Sequence, residues 1–110
     1  MKEVRRHWGN FKKFVLNKKC TVKILTLKPK QELSLQLHKK REEMWYFFDR
    51  AIVQLGKKKI RVKKGDVIKV RKKMPHRIIA GKSKVQVLEI SFGKFQEGDE
   101  IRLEDKYGRK

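Results

Sequence analysis

Residues 20–38, CTVKILTLKPKQELSLQLH, contain two strand-like segments separated by a turn. The first, CTVKILTL, is rich in β-branched and aliphatic residues, and the second, ELSLQLH, alternates leucines with polar residues. Alternation with a period of two is typical of a strand, which places successive side chains on opposite faces. The second segment therefore has one face of three leucines and one polar face that ends at His38.

Similar segments recur along the rest of the chain, in the order MWYFFD, AIVQL, KIRV, DVIKV, HRIIA and KVQVLEISF. Turn-like groups that contain Gly or Pro, such as LGKKK, KKGD and KKMP, separate them. No segment has a convincing helical period, so the pattern predicts an all-β sandwich or barrel. A chain of 110 residues can bury one modest core but not two, and we expect residues 1–110 to form a single domain.

The chain is strongly basic, with 32 Lys or Arg, 12 Asp or Glu and a formal net charge of +20. Residues 50–84 contain fourteen of these cations and one acid. Such a field favours anionic partners and leaves phosphorylated metabolites, nucleic acid and anionic membranes open. Lysines on turns and edge strands explain much of the charge, and the aromatic cluster at residues 45–48 is expected in the core. Nucleic acid is therefore a possible partner, but not the favoured one.

The single cysteine, Cys20, has no internal partner for a disulfide, and the N-terminus lacks an apolar signal segment. No window approaches the ~20 apolar residues of a membrane-spanning helix. We therefore expect a cytoplasmic protein with no membrane span.

Three residues are candidates for a metal site. His38 ends a polar strand face, Glu43 follows five residues later, and His76 begins a much later strand. Two imidazoles and one carboxylate can hold a divalent metal and leave coordination positions open. Spacing alone leaves two alternatives: ordinary structural histidines, or the iron site of an oxygenase.

Three blocks, RRHWGNF, VKILTLKPKQELSLQLHKKREEMW and GDEIRLEDKYGR, carry a family resemblance. In order and spacing they resemble the C-terminal cupin domain of type II phosphomannose isomerases, the bifunctional mannose-6-phosphate isomerase/mannose-1-phosphate guanylyltransferases. The resemblance runs from about residue 6 to residue 109. It implies a cupin double-stranded β-helix, a jelly-roll barrel with a metal at its mouth, which agrees with the strand pattern.

The resemblance also implies an activity, the metal-dependent interconversion of mannose 6-phosphate and fructose 6-phosphate. His38, Glu43 and His76 would hold the divalent metal, which could be Zn, Mn, Co or Mg. In the family's His-x-His-x-x-Glu block, Lys40 replaces the second histidine. Because a divalent cation repels an ammonium, Lys40 must point away, lose its proton or take the place of the metal's charge. Lys40 and Arg41 are the candidate catalytic cations.

The substrate-binding candidates are Gln36, for a sugar hydroxyl, and Lys23 and Arg109, for the phosphate. Trp8 is expected to anchor the N-terminal segment against the barrel, and the resemblance implies a homodimer. A guanylyltransferase activity is not expected, because these residues have no counterpart of that catalytic half. The alternative function is a non-catalytic cupin that binds a phosphorylated sugar or another anion in a basic pocket with a degenerate metal site.

Overall fold

The computed structural model describes residues 1–93 and 100–104, which form eleven β-strands. These are β1 (Lys2–Arg6), β2 (Gly9–Lys13), β3 (Cys20–Leu27), β4 (Leu35–His38), β5 (Arg41–Phe47), β6 (Ala51–Leu55), β7 (Lys58–Val62), β8 (Val67–Val70), β9 (His76–Ile79), β10 (Val85–Gly93) and β11 (Glu100–Glu104). The described residues include no helix long and apolar enough to span a membrane. The all-β prediction is confirmed.

The strands form three antiparallel sheets. A four-stranded sheet has the order β3-β10-β5-β8, a five-stranded sheet has the order β11-β4-β9-β6-β7, and β1 and β2 form a separate hairpin. Apolar side chains from the two larger sheets pack into one core, in which Phe47, Val53 and Ile78 have no exposed surface. Burial of such side chains supplies most of the stabilising free energy of a fold of this kind.

The face of β10 that points into the protein changes from apolar to polar along the strand. Val85 and Val87 are fully buried, and Glu89 and Ser91, which share their phase, are also buried at 7% and 2% exposure. Because alternate residues of a strand share one face, the apolar half of the interior leads directly into a polar half. The candidate functional residues lie in this polar half.

Most predicted strands appear close to their predicted bounds, but five elements differ. β4 begins at Leu35 rather than Glu32, β5 begins at Arg41 rather than Met44, and β1, β2 and β11 were not predicted. KEVRR in β1 and GNFKK in β2 have no apolar alternation that would have predicted a strand. The prediction that Trp8 anchors the N-terminal segment is wrong: its side chain is 73% exposed and stacks on Phe11 within the hairpin, with ring centroids 6.4 Å apart.

Candidate metal centre

His38, Glu43 and His76 come together in the polar half of the interior. His38 ends β4 and His76 begins β9, the neighbouring strand, in which His76 pairs with Gln36. Glu43 lies on β5 of the other sheet. All three residues are buried, at 2–4% exposure. The fold therefore unites three side chains that are far apart in sequence.

The potential ligand atoms of these residues converge on one point. Oε1 of Glu43 lies 3.1 Å from Nε2 of His76 and 3.4 Å from Nε2 of His38. One ligand atom from each of the three residues lies within 4.8 Å of the other two. Ligand atoms about 2.1 Å from one cation lie about 3.0–3.4 Å apart at octahedral or tetrahedral angles. The two measured separations fit a shared divalent ion.

A hydrogen bond orients the imidazole of His76 for this purpose, whereas the Nε2 lone pair of His38 is taken by Arg41. Nδ1 of His76 donates to the carbonyl oxygen of Met74 at 2.8 Å, which leaves a lone pair on Nε2 of the neutral ring. Nε2 of His38 accepts from Nη2 of Arg41 at 3.2 Å. In neutral imidazoles, three electron-rich atoms would then face one another, an arrangement that requires a cation or shared protons between them.

The pKa values of the two buried carboxyl groups, those of Glu43 and Glu89, are shifted in opposite directions. Burial by itself raises the pKa of Glu43, but its close contacts with His38, His76 and Glu89 hold that pKa well below its usual range. Burial and the nearby Glu43 carboxylate raise the pKa of Glu89 to about 8, although its bond from Trp45 opposes this. At neutral pH the site therefore contains one ionised ligand and one neutral carboxylic acid.

Both carboxyl groups are held by neighbouring side chains. Oε2 of Glu43 accepts a hydrogen bond from Oγ of Ser91 at 3.2 Å. Oε2 of Glu89 accepts one from Nε1 of Trp45, also at 3.2 Å. Glu89 pairs with Lys23 on one side and Trp45 on the other, so these three residues form one row across the sheet.

A cavity of about 140 Å³ lies beside these groups. Its lining consists of Lys23, Leu25, Leu33, Ser34, Gln36, His38, Arg41, Glu43, Trp45, His76 and Glu89. Pockets that enclose a whole small-molecule ligand usually measure about 300–1,000 Å³. This cavity can therefore enclose part of a small-molecule ligand, the rest of which would remain at its mouth.

Arg41, rather than Lys40, is the cation next to the triad. Arg41 is 5% exposed and lines the cavity, whereas Lys40 is exposed in the bend between β4 and β5 and does not line it. The bend at residues 39–40 interrupts the alternation that starts in β4, so that the inward phase of β5 begins at Arg41. Of the three alternatives open to Lys40, the structure has it outside the cavity, away from the triad, and this position does not support its assignment as a catalytic cation.

The mannose-6-phosphate isomerase C-terminal family model matches residues 1–105. The chain belongs to this family. It is 33% identical over 110 residues to the alginate biosynthesis protein AlgA of Pseudomonas aeruginosa, covering 97% of this chain and 23% of that protein. It is 31% identical over 111 residues to the xanthan biosynthesis protein XanB of Xanthomonas campestris, covering 98% and 24%. The chain thus spans about a quarter of the length of these relatives.

Solved structures support the expected fold. An uncharacterised Klebsiella pneumoniae protein with a double-stranded β-helix domain matches with a TM-score of 0.69 at 15% identity, covering 83% of this chain and 80% of that one. The capsular polysaccharide assembling protein CapF of Staphylococcus aureus matches with a TM-score of 0.71 at 16% identity, covering 94% and 34%. The chain is a cupin, and the recognition of both family and fold from sequence is confirmed.

The remaining predicted site residues lie in different places. Gln36 lines the cavity and donates from Nε2 to Oγ of Ser34 at 2.5 Å. Lys23 lines the cavity but is exposed, so it lies at the mouth. Arg109 lies outside the described residues.

The sequence interpretation overlooked Glu89 and Ser91 and assigned Trp45 only to the core. A signal for the first two exists in KVQVLEISF, where Glu89 and Ser91 share the phase of Val85 and Val87. A carboxyl group in the inward phase of a central strand is unusual, because burying a charge is costly unless it is paired. This family member therefore has a polar network more extensive than the three predicted metal ligands.

Proposed function

We propose that this cupin catalyses the metal-dependent interconversion of mannose 6-phosphate and fructose 6-phosphate. The observation that supports it most directly is the convergence of His38, Glu43 and His76 beside a cavity that also contains two cations and a second carboxyl group. The family match supports the substrate class. The chain matches about a quarter of the length of each relative. The matched family model is that of the isomerase C-terminal region, so isomerase activity is the relevant comparison.

In this proposal, the three converging residues hold the divalent metal, which polarises the sugar carbonyl and stabilises negative charge on the adjacent oxygens. The other residues bind substrate and handle protons. Gln36 orients a sugar hydroxyl, and Lys23 at the mouth attracts the phosphate. Arg41 anchors an oxygen of the substrate within the buried cavity, where a charged hydrogen bond is strong.

Glu89 is the proton-handling group in this scheme. Aldose–ketose isomerisation moves a proton between neighbouring carbons, so the ionised form of Glu89, a minority at neutral pH with a pKa of about 8, accepts the proton and the resulting acid returns it. The Glu89 carboxyl lines the cavity, and its Oε2 accepts from the indole of Trp45. Its Oε1 is the atom that we assign to proton exchange with the substrate.

The first experiment measures turnover. The purified chain is incubated with Mn²⁺, Co²⁺, Zn²⁺ or Mg²⁺ and mannose 6-phosphate, and fructose 6-phosphate is followed over time. We expect metal-dependent turnover that falls roughly 100-fold or more in His38→Ala, because several kcal/mol of charge stabilisation is lost. His7→Ala, at an exposed hairpin position, is the matched control and should retain activity. Equal rates in wild type and His38→Ala would contradict the proposal.

A second candidate function is supported by the Arg41 guanidinium, which lies 3.2 Å from Nε2 of His38. A fixed cation at that distance repels a metal, so the pocket could instead bind a phosphorylated sugar without catalysis. Arg41→Gln distinguishes the two functions. In an isomerase, the wild type binds metal and turns over substrate, and this variant loses turnover; in an anion-binding cupin, the wild type does neither, and the variant loses sugar-phosphate affinity, as measured by calorimetry.

A further inference from the structure

A second concave region, lined by cations, lies away from the metal centre. It has a volume of about 340 Å³ and is lined by Arg50, Ala51, Ile52, Arg61, Val62, Gly81, Lys82 and Ser83. Its three cations come from three separate segments: the loop before β6, strand β7 and the loop after β9. All three are exposed. We call this region the basic groove.

The basic groove and the metal centre are at opposite ends of the strands. In the pairing of β6 with β9, Leu55 faces His76 and Ile52 faces Ile79. The three residue steps from His76 to Ile79 span about 10 Å at the usual rise of a strand, and Gly81 and Lys82 lie beyond them. The groove is therefore a separate site, and the inference below does not depend on the proposed isomerase activity.

A row of cations on the edge of the sheet leads into the groove. β7 is the edge strand of the five-stranded sheet, with Ile60 and Val62 directed toward the core. Lys59 and Arg61 have the opposite phase and are exposed, and the exposed Lys63 follows at the next position of that phase. Alternate residues of a strand lie about 6.7 Å apart. Successive phosphates of a nucleic acid strand have a comparable spacing.

The carboxylates nearest in sequence to these cations, Asp49 and Asp66, both accept hydrogen bonds from backbone nitrogens. Asp66 is the single acid in residues 50–84, and its Oδ2 accepts from the backbone N of Lys63 at 2.9 Å. Arg77 is the cation of residues 50–84 that forms ion pairs with carboxylates among the described residues 1–93 and 100–104. Its partners are Glu32 and Glu104. Over the same residues, the row and the groove have no ion pair to a carboxylate. Their charge is available to a partner.

The surface offers contacts to phosphates rather than to bases. Within the described part of the chain, the exposed aromatic rings are Trp8 and Phe11 in the hairpin, and Phe48, which contacts Tyr46 of the other sheet. Recognition of single strands relies on aromatic stacking, which this face lacks in those residues. Contacts to a duplex backbone need only correctly spaced cations.

Charged edge strands also prevent association between sheets, and this function alone would explain lysines on β7. Protection of the sheet edge does not explain the cations of the basic groove, because Arg50 and Lys82 lie on loops outside β7. We infer that Lys59, Arg61 and Lys63, together with the groove cations Arg50 and Lys82, bind the phosphodiester backbone of a nucleic acid duplex without sequence specificity. Arg61 belongs to both features and joins the row to the groove.

The experiment measures binding of fluorescently labelled RNA and DNA duplexes of identical sequence by anisotropy, over a series of salt concentrations. The row variant is Lys59→Gln/Arg61→Gln/Lys63→Gln. The control variant, Lys2→Gln/Lys19→Gln/Lys69→Gln, removes three exposed lysines from β1, the segment before β3 and β8, and has the same net charge. Circular dichroism verifies the fold of each protein.

We expect the row variant to lose roughly tenfold or more in affinity and its log–log salt slope to fall by about 2–3, since each phosphate contact contributes about one unit. The control variant should change the slope by less than one unit. The RNA and DNA arms identify which duplex is preferred. Equal losses in the two variants would show that net charge alone drives binding and would overturn the inference. Row-dependent binding of labelled heparin without row-dependent duplex binding would also overturn it.

Discussion

Two adjacent basic residues occupy very different environments. Lys40 is exposed in a bend, while Arg41 is buried beside His38. Guanidinium is planar and more weakly hydrated than ammonium, so it suits a buried, hydrogen-bonded position better. In this cupin, two factors therefore decide that Arg41 and not Lys40 contacts the candidate metal centre: the inward-facing phase of its position in β5 and the chemistry of arginine.

Glu89 gives a pH-dependent prediction for the metal-free protein. Its pKa is raised from 4.5 to about 8 in the folded state. Between these values the folded protein binds more protons than the unfolded chain, so the contribution of Glu89 to stability falls as pH rises. Glu89→Gln removes this dependence. We expect its Tm to increase relative to wild type as pH rises from 4.5 to 8.

The measurement is thermal unfolding by circular dichroism in EDTA at several pH values. Glu42→Gln is the matched control, since this exposed carboxyl group is the outward neighbour of Glu43 on β5. A Tm difference between Glu89→Gln and wild type that stays constant from pH 5 to pH 9 would contradict the prediction. The same variant should lower isomerase turnover about 10²-fold or more if Glu89 exchanges the proton.

The strands β5 and β10 connect the core to the site. They pair along most of their length, and their inward faces supply Phe47 and Val87 to the apolar half and Glu43 and Glu89 to the polar half. The packed end of these strands holds the polar end in register, because core side chains tolerate little displacement. A change in backbone position at the end of β10 should therefore be transmitted to the metal ligands.

Gly93 tests this connection. It ends β10 opposite Arg41 with φ of +96°, and a Cβ added there would lie 2.7 Å from the carbonyl oxygen of Lys40. Gly93→Ala should lower the free energy of unfolding by about 2–3 kcal/mol, because both the backbone conformation and the contact become strained. It should also weaken metal binding, since the bend that separates His38 from Arg41 must move.

Gly81→Ala is the matched control. A Cβ at Gly81 meets no atom within 4 Å, and its effect should stay within about 0.5 kcal/mol. Urea denaturation measures both stabilities, and calorimetry with Co²⁺ measures metal affinity. If Gly93→Ala binds metal as wild type does, the bend does not control the ligand geometry.

The two principal sheets meet at the candidate metal centre. His38 and His76 come from the five-stranded sheet and Glu43 from the four-stranded sheet. A bound metal would therefore link the sheets in the folded state, and the unfolded chain would lack this preformed site. Metal binding should stabilise the entire cupin rather than one loop.

This link predicts a metal-dependent Tm. At a free metal concentration 100-fold above Kd, binding contributes about 2.7 kcal/mol, which corresponds to an increase of roughly 10–20 °C for a small domain. EDTA should reverse the increase, His76→Ala should abolish it, and His7→Ala should retain it. An equal increase in His76→Ala would mean that the stabilising metal binds elsewhere.

The amino-acid sequence alone was sufficient for the all-β class, the family and the metal-ligand candidates. Strand alternation is a local property, visible in ELSLQLH and KVQVLEISF, and the family blocks keep their order along the chain. The homodimer, the single domain of residues 1–110 and the role of Arg109 stay predictions. The hairpin β1–β2 escaped detection because its sequence, KEVRR followed by GNFKK, has no apolar alternation.

The tertiary structure alone decided which side chains share the cavity. Glu89 joins Glu43 through pairing of β10 with β5, a contact between residues distant in sequence. The bend at residues 39–40 left Lys40 in solvent and placed Arg41 in the cavity. A one-residue change of phase moves a side chain from the interior to solvent. Such a change depends on how the strands pack against each other, and the local pattern of residues does not contain that information.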